Sequence, residues 1–291
     1  MVLTVLEITA PAFLLAAAGF FWAKKGLPYD TAFVTRLGTG LAVPCLIFST
    51  LARTEIEPGA LARMLGSTLL LYALFWLVFG AGLKLAGLPL RVFLPPTAMN
   101  NSGNLGLPIC LYAFGPEGLA LGIVLFAAMV IIQFSFGVWY VSGQGRLRDA
   151  AKQPMIWSAV LGVAAAALQF RPPTFLDNAI GLAGQMAIPL MVLTLGVSIA
   201  TIRARSVARA AAISTARFVA AGAIALGVGR LLGLEGLALS VLVLQSIMPA
   251  PVTNYLLALK FDAHPEEVAS LVVVSTVLSI VFIPLALALI L

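Results

Sequence analysis

Two stretches of this chain concentrate amide and hydroxyl side chains beside residues that interrupt helices. The first reads Leu94-Pro-Pro-Thr-Ala-Met-Asn-Asn-Ser-Gly-Asn-Leu-Gly-Leu-Pro108. Pro95, Pro96, Gly103 and Gly106 fall inside one apolar stretch, with Pro108 just beyond it. Proline removes a backbone donor and clashes with the preceding turn, so a regular helix is not expected there. Asn100, Asn101, Ser102 and Asn104 add neutral donors and acceptors at the same depth. The second stretch reads Gln245-Ser-Ile-Met-Pro-Ala-Pro-Val-Thr-Asn254. Pro249 and Pro251 break it, and Gln245, Ser246, Thr253 and Asn254 are polar. A broken helix exposes the N-terminal end of its second half, with free N–H groups and partial positive charge. Two such ends with amides around them suit the holding of a carboxylate rather than bond-making chemistry.

What is missing narrows the chemistry further. No Asp or Glu lies deep in an apolar stretch, which argues against proton or sodium coupling through a buried carboxylate. Backbone carbonyls can still bind sodium. No nucleophile, carboxylate pair or metal cluster suggests an embedded enzyme, and no cofactor or metal is expected. Cys45 and Cys110 both lie in apolar segments and match no metal spacing. Arg217 is the one basic residue well inside an apolar stretch. It is a candidate for attracting an anion, with snorkelling to the membrane surface as the alternative. Gln133 is a second isolated polar group, suited to lining a site or to bonding between helices. Ser49, Thr50, Thr194 and Ser198 are expected to bond their own backbone.

The elements that must position these groups are membrane helices. Of the 291 residues, 62% are apolar and 10% charged, and the mean hydropathy is +1.09. A soluble domain is closer to half apolar and a quarter charged, so the surplus must face lipid. At roughly 20 apolar residues per crossing, ten spans are expected, at about 4–23, 33–52, 64–86, 92–114, 118–141, 154–170, 179–200, 207–232, 235–259 and 267–291. The net charge of +6 does not indicate nucleic acid, because the basic residues sit in short turns and form no single face. They are unevenly shared between the two sides. Lys24, Lys25, Arg36, Lys84, Arg91, Arg146, Arg148, Lys152, Arg203, Arg205, Arg209 and Lys260 fall on one side, against Arg53, Arg63, Arg171 and Arg230 on the other. The richer side is expected to be cytoplasmic, with both termini outside, in the cell inner membrane.

The chain also repeats itself. Ala42-Val-Pro-Cys-Leu-Ile-Phe-Ser-Thr50 is echoed by Ala187-Ile-Pro-Leu-Met-Val-Leu-Thr194, their prolines lying 145 residues apart. Pro116 and Pro265, in similar turns, lie 149 apart. The expectation is an all-α fold of two five-helix repeats, 1–143 and 154–291, joined by a short linker, 144–153. Five is odd, so the second repeat is inverted, with the broken fourth and ninth helices crossing at matched positions. That is the pattern of many secondary transporters.

Val43-Pro-Cys-Leu-Ile-Phe-Ser49, Asn101-Ser-Gly-Asn-Leu-Gly-Leu-Pro108, Met248-Pro-Ala-Pro251 and Phe261-Asp-Ala-His-Pro-Glu-Glu267 resemble the auxin efflux carrier family. The resemblance implies a scaffold of helices 1, 2, 6 and 7, able to form a homodimer, and a moving unit of helices 3–5 and 8–10. It implies that Asn101 lies at a substrate carboxylate, that Gln133 lines the site and that Ser49 is nearby. The plant motif has no Asn where Asn104 stands, and Gly143 to Gln153 replaces the long plant loop. Bacterial members are linked to malate or malonate. The expected function is alternating-access transport of a small organic anion, with a sodium-coupled symporter of the bile acid carrier type as the alternative.

Overall fold

The computed structural model describes residues 2–142 and 151–291. Most of the expected linker 144–153, with Arg146 and Arg148, lies outside the described residues. The described chain is all helix, without β-strands. Helix α1 spans Val2–Lys24, α2 Thr31–Ala52, α3 Pro58–Leu85 and α4 Leu90–Ala98. Helix α5 covers Leu107–Ile132 and runs on to Ser142. Then follow α6 (Pro154–Ala167), α7 (Thr174–Gln185), α8 (Ala187–Thr201), α9 (Val207–Leu231), α10 (Gly236–Ser246), α11 (Val252–Lys260) and α12 (Pro265–Ile290).

Among the described residues, seven stretches are long and apolar enough to cross a membrane, where the sequence reading expects ten spans. The difference has a physical origin. One of the seven, Leu90–Ser142, is 53 residues long, more than twice the roughly 20 that a bilayer needs. It is interrupted after Ala98 and turns again at Gly115, whose φ of 67° and ψ of −161° suit glycine. Helices α6 and α10, of 14 and 11 residues, are apolar but short. Large apolar side chains stand exposed along the long helices, Leu14, Leu77, Val219 and Val281 among them, which is the surface of a chain solvated by lipid.

Helix starts and ends follow local chemistry. Asp30 caps α2, its carboxylate accepting from Phe33 N–H at 2.9 Å. The end of α2 is tied down by Arg53 on Asp177 (2.8 Å) and by Arg171 on the Ala52 carbonyl (2.8 Å). Small residues set which helices touch. Helix α1 packs on α8, and α2 packs on α6 and α7. At the first contact, a Cβ added to Gly196 would sit 1.8 Å from the Ala16 carbonyl oxygen, and one on Gly19 2.1 Å from that of Leu193. At the second, Gly162 and Gly184 lie against the backbone of Phe48 and Leu46. Without a hydrophobic drive between helices in lipid, such close backbone approach supplies the packing energy. The remaining long helices pack chiefly on one another, α3 with α4, α5 and α9, and α9 with α10 and α12, while α1 touches α5 and α12, and α6 touches α5, across the two groups.

The glycine contact is testable. Gly196→Val is expected to cost at least about 1–3 kcal/mol through overpacking. It should lower the melting temperature in detergent by several degrees. Gly82→Ala, with nothing within 4 Å of the added Cβ, should leave it unchanged or slightly raised.

Candidate solute-binding site

The first break lies after the prolines, not at them. Pro95 and Pro96 sit inside α4, near its end, and the chain leaves helical geometry at Met99 (φ −94°, ψ 151°). Each proline removes one ladder bond, and the helix ends within a turn of them. Asn101 then caps a π-helical turn, Ser102–Gly106, its Oδ1 accepting from Asn104 N–H at 3.2 Å. Pro108 stands in the first turn of α5, where proline is tolerated. The second break runs between α10 and α11. Pro249 lies in it and Pro251 is the N-cap of α11.

Each break is completed by the other. Asn101 N–H donates to the Pro249 carbonyl at 2.7 Å. Asn100 Nδ2 donates to the Gln245 carbonyl at 2.5 Å, while its Oδ1 accepts from the Tyr72 hydroxyl. Asn254 Nδ2 reaches back to the Pro95 carbonyl at 3.4 Å. Ser275 accepts from Ala250 N–H at 3.0 Å. Gln245 is wedged between Gly106 and Gly122 and donates to Cys110 Sγ at 3.4 Å. A Cβ on Gly106 would come within 2.2 Å of its Oε1.

Arg217 closes the end of α4. It is 2% exposed, and it donates through Nε to the Thr97 carbonyl at 2.8 Å and through Nη2 to that of Met99 at 3.3 Å. It therefore neither snorkels nor lines the cavity described below. A cation at the C-terminal end of a half-helix meets both its unpaired carbonyls and its negative dipole. No Asp or Glu stands in the buried set of described residues.

Beside the breaks lies a cavity of about 190 Å³. Of the residues expected at the site, Asn101, Gly103, Asn104, Gln133, Pro251 and Thr253 line it. Asn100, Ser102, Gln245, Pro249 and Asn254 do not; all are buried or tied into the joint between the breaks. Ser49 is also away from it and bonds its own backbone at Leu46, at 3.2 Å. Thr194 does line the cavity and also bonds its own backbone, at Leu190, at 2.6 Å. Three π-helical turns converge on the cavity: Gly38–Ala42, Ser102–Gly106 and Gln133–Gly137. Such bulges recur at functional sites, because they turn backbone and side chains out of the helical ladder.

Sequence reasoning missed one wall. Thr31, Thr35, Thr39 and Val43 face the cavity from α2, and their spacing of four, one helical face, was a legible signal. It also missed Tyr72, whose hydroxyl holds Asn100, and the apolar wall of Phe126, Met129 and Met191. No local pattern marks those residues, because they meet the site from other helices.

An all-helical chain with several membrane-crossing helices and a buried polar cavity beside paired breaks is a multi-pass membrane protein built to hold a solute. The chain belongs to the membrane transport protein family, that of the auxin efflux carriers, whose family model matches residues 140–287. A protein of Methanothermobacter thermautotrophicus named "Uncharacterized transporter" is 29% identical over 300 residues, 98% of this chain and 95% of that one. A Methanocaldococcus jannaschii transporter is 27% identical over 198 residues, 64% of each chain. A Rhizobium meliloti protein named "Putative malonate transporter" is 29% identical over 178 residues, 55% of each. The protein is a membrane transporter and not an enzyme.

Arg217→Ala leaves two buried carbonyls without donors, each worth about 1–3 kcal/mol. A drop in thermal stability of the purified protein is expected. Arg217→Lys should recover only part of it, since an ammonium cannot span both carbonyls as the planar guanidinium does.

Proposed function

We propose that this transporter carries a small organic anion, a mono- or dicarboxylate, across the cell inner membrane by alternating access. The observation that carries this reading is the cavity at the paired breaks, where Asn101, Asn104, Gln133 and Thr253 meet the start of α11. No charged side chain lines it among the described residues. A carboxylate would be held by the Asn101 and Asn104 amide donors, the Thr253 hydroxyl and the N–H groups of the α11 first turn, whose positive dipole end supplies the complementary charge. The malonate named for one relative is a solute of this class.

The packing supports a two-body mechanism. Helices α1, α2, α6, α7 and α8 would form the scaffold, which is also the surface for a homodimer. The moving unit would be α3–α5 and α9–α12, two inverted repeats meeting at the breaks. The cavity lies between these groups, bounded by α2 and α8 on one side and by the breaks on the other. The distribution of Lys and Arg puts the α1–α2 turn in the cytoplasm and both termini outside. The exposed Thr31 and Thr35 then mark a cytoplasmic mouth.

Sodium coupling is the weaker reading. The carbonyl end of a broken helix is where a coupling cation would be sought, and at α4 the Thr97 and Met99 carbonyls already hold the Arg217 guanidinium.

Protein reconstituted in liposomes should show saturable uptake of labelled malonate or a related carboxylate, independent of a sodium gradient. Asn101→Asp keeps the capping acceptor but exchanges the amide donor for a negative charge, and is expected to abolish that uptake while the protein still folds. Asn104→Ala should raise KM by about tenfold, the worth of one hydrogen bond to a charged group. Unchanged flux in both variants would sink the site assignment.

A further inference from the structure

Seven buried side-chain atoms among the described residues lack a hydrogen-bond partner. Two of them belong to residues that line the cavity: Asn101 Nδ2 and Gln133 Oε1. Both residues are at least nine-tenths buried, at 3% and 2% exposure. The polarity of each amide is fixed by its neighbours. The partner of Asn101 Oδ1 is a backbone N–H, that of Asn104, which can only donate. The oxygen of Asn101 must face it, so the free atom is a donor. On the other side, the Pro95 carbonyl can only accept, so Asn254 turns its Nδ2 toward it. Asn254 Oδ1 is then left to accept from Gln133 Nε2, at 3.0 Å. The chain Pro95, Asn254, Gln133 thus ends in Gln133 Oε1, a free acceptor. Flipping Gln133 to offer a donor would set two oxygens against each other.

The residues lining the cavity therefore carry two unlike unpaired atoms, the two poles of the site, one on Asn101 in the first break and one on Gln133 in α5. One is a donor pole, Asn101 Nδ2 with the first N–H groups of α11. The other is an acceptor pole, Gln133 Oε1, which repels a second negative charge. The same cavity has apolar walls, Phe126, Met129 and Met191. We propose that the solute carries, besides its carboxylate, a hydrogen-bond donor that meets Gln133: a hydroxyl, an N–H or a protonated second carboxyl. A dicarboxylate would then enter as its monoanion. The proposal rests on the carboxylate reading above and adds the second group. A solute without that donor leaves a buried acceptor unpaired, which discriminates more sharply than any change in apolar fit.

Titration calorimetry on the detergent-purified protein tests this with a matched set of probes. Propionate and 3-hydroxypropionate differ by one hydroxyl. The hydroxyl compound is expected to bind about tenfold tighter or better, the effect of pairing one buried acceptor. Malonate should bind more weakly as pH rises through its second ionisation. No Asp, Glu, His, Lys, Arg, Tyr or Cys lines the cavity among the described residues, so that loss would report the ligand. In Gln133→Leu the preference for 3-hydroxypropionate should fall toward one. Equal binding of the two wild-type probes, or malonate binding that strengthens as it becomes a dianion, overturns the donor requirement and leaves the carboxylate site standing. Absence of binding by all three probes overturns the carboxylate site itself.

Discussion

The rest of the structure depends on one constraint: a helix interrupted inside a membrane must have its bare backbone groups met by protein. Lipid offers no hydrogen bonds, and each unpaired amide or carbonyl there costs several kcal/mol. The two breaks meet this demand by facing each other. Asn101 N–H takes the Pro249 carbonyl, the Asn100 amide takes the Gln245 carbonyl, and the Asn254 amide returns to the Pro95 carbonyl. Neither break is complete without the other, so the joint fixes the register of four short helical pieces at once.

That joint separates two kinds of polar group that look alike in the sequence. Asn100, Asn254 and Arg217 use their donors to hold backbone carbonyls together, while Gln245 offers its own carbonyl and gives its side-chain donor to Cys110 Sγ. Asn101, Asn104 and Gln133 are held by the same network but turn toward the cavity. Glycines make the arrangement sterically possible: Gly106 and Gly122 leave the space that the Gln245 side chain fills. Elsewhere Gly19, Gly196, Gly162 and Gly184 let backbones approach to contact, which gives α1, α2 and α8 the firm packing from which one wall of the cavity is built. Arg217 shows the cost of this design. A buried guanidinium with no carboxylate partner among the described residues is held by carbonyl oxygens and the negative end of α4.

The sequence by itself determined the membrane, the helical class and the places where helices fail. Apolar content sets the solvent, and proline, glycine and asparagine set the breaks, because both act through local chemistry that needs no partner. It also pointed to Asn101, Asn104 and Thr253 as polar groups beside a break, and to Gln133 as an isolated amide in an apolar stretch, suited to lining a site or to bonding between helices. Only the tertiary structure decided which neighbouring amides bind backbone and which face the cavity. Asn100 and Asn101 are adjacent in the chain and opposite in role, and the carbonyls that separate them, at Gln245 and Pro249, come from some 145 residues away. The same holds for Arg217. Its sequence position offered snorkelling or an anion as partners, and the carbonyls it actually holds were set by the end of a different helix. A local pattern tells what a group can bond, but in a medium without water the partner is whatever the packing brings within reach.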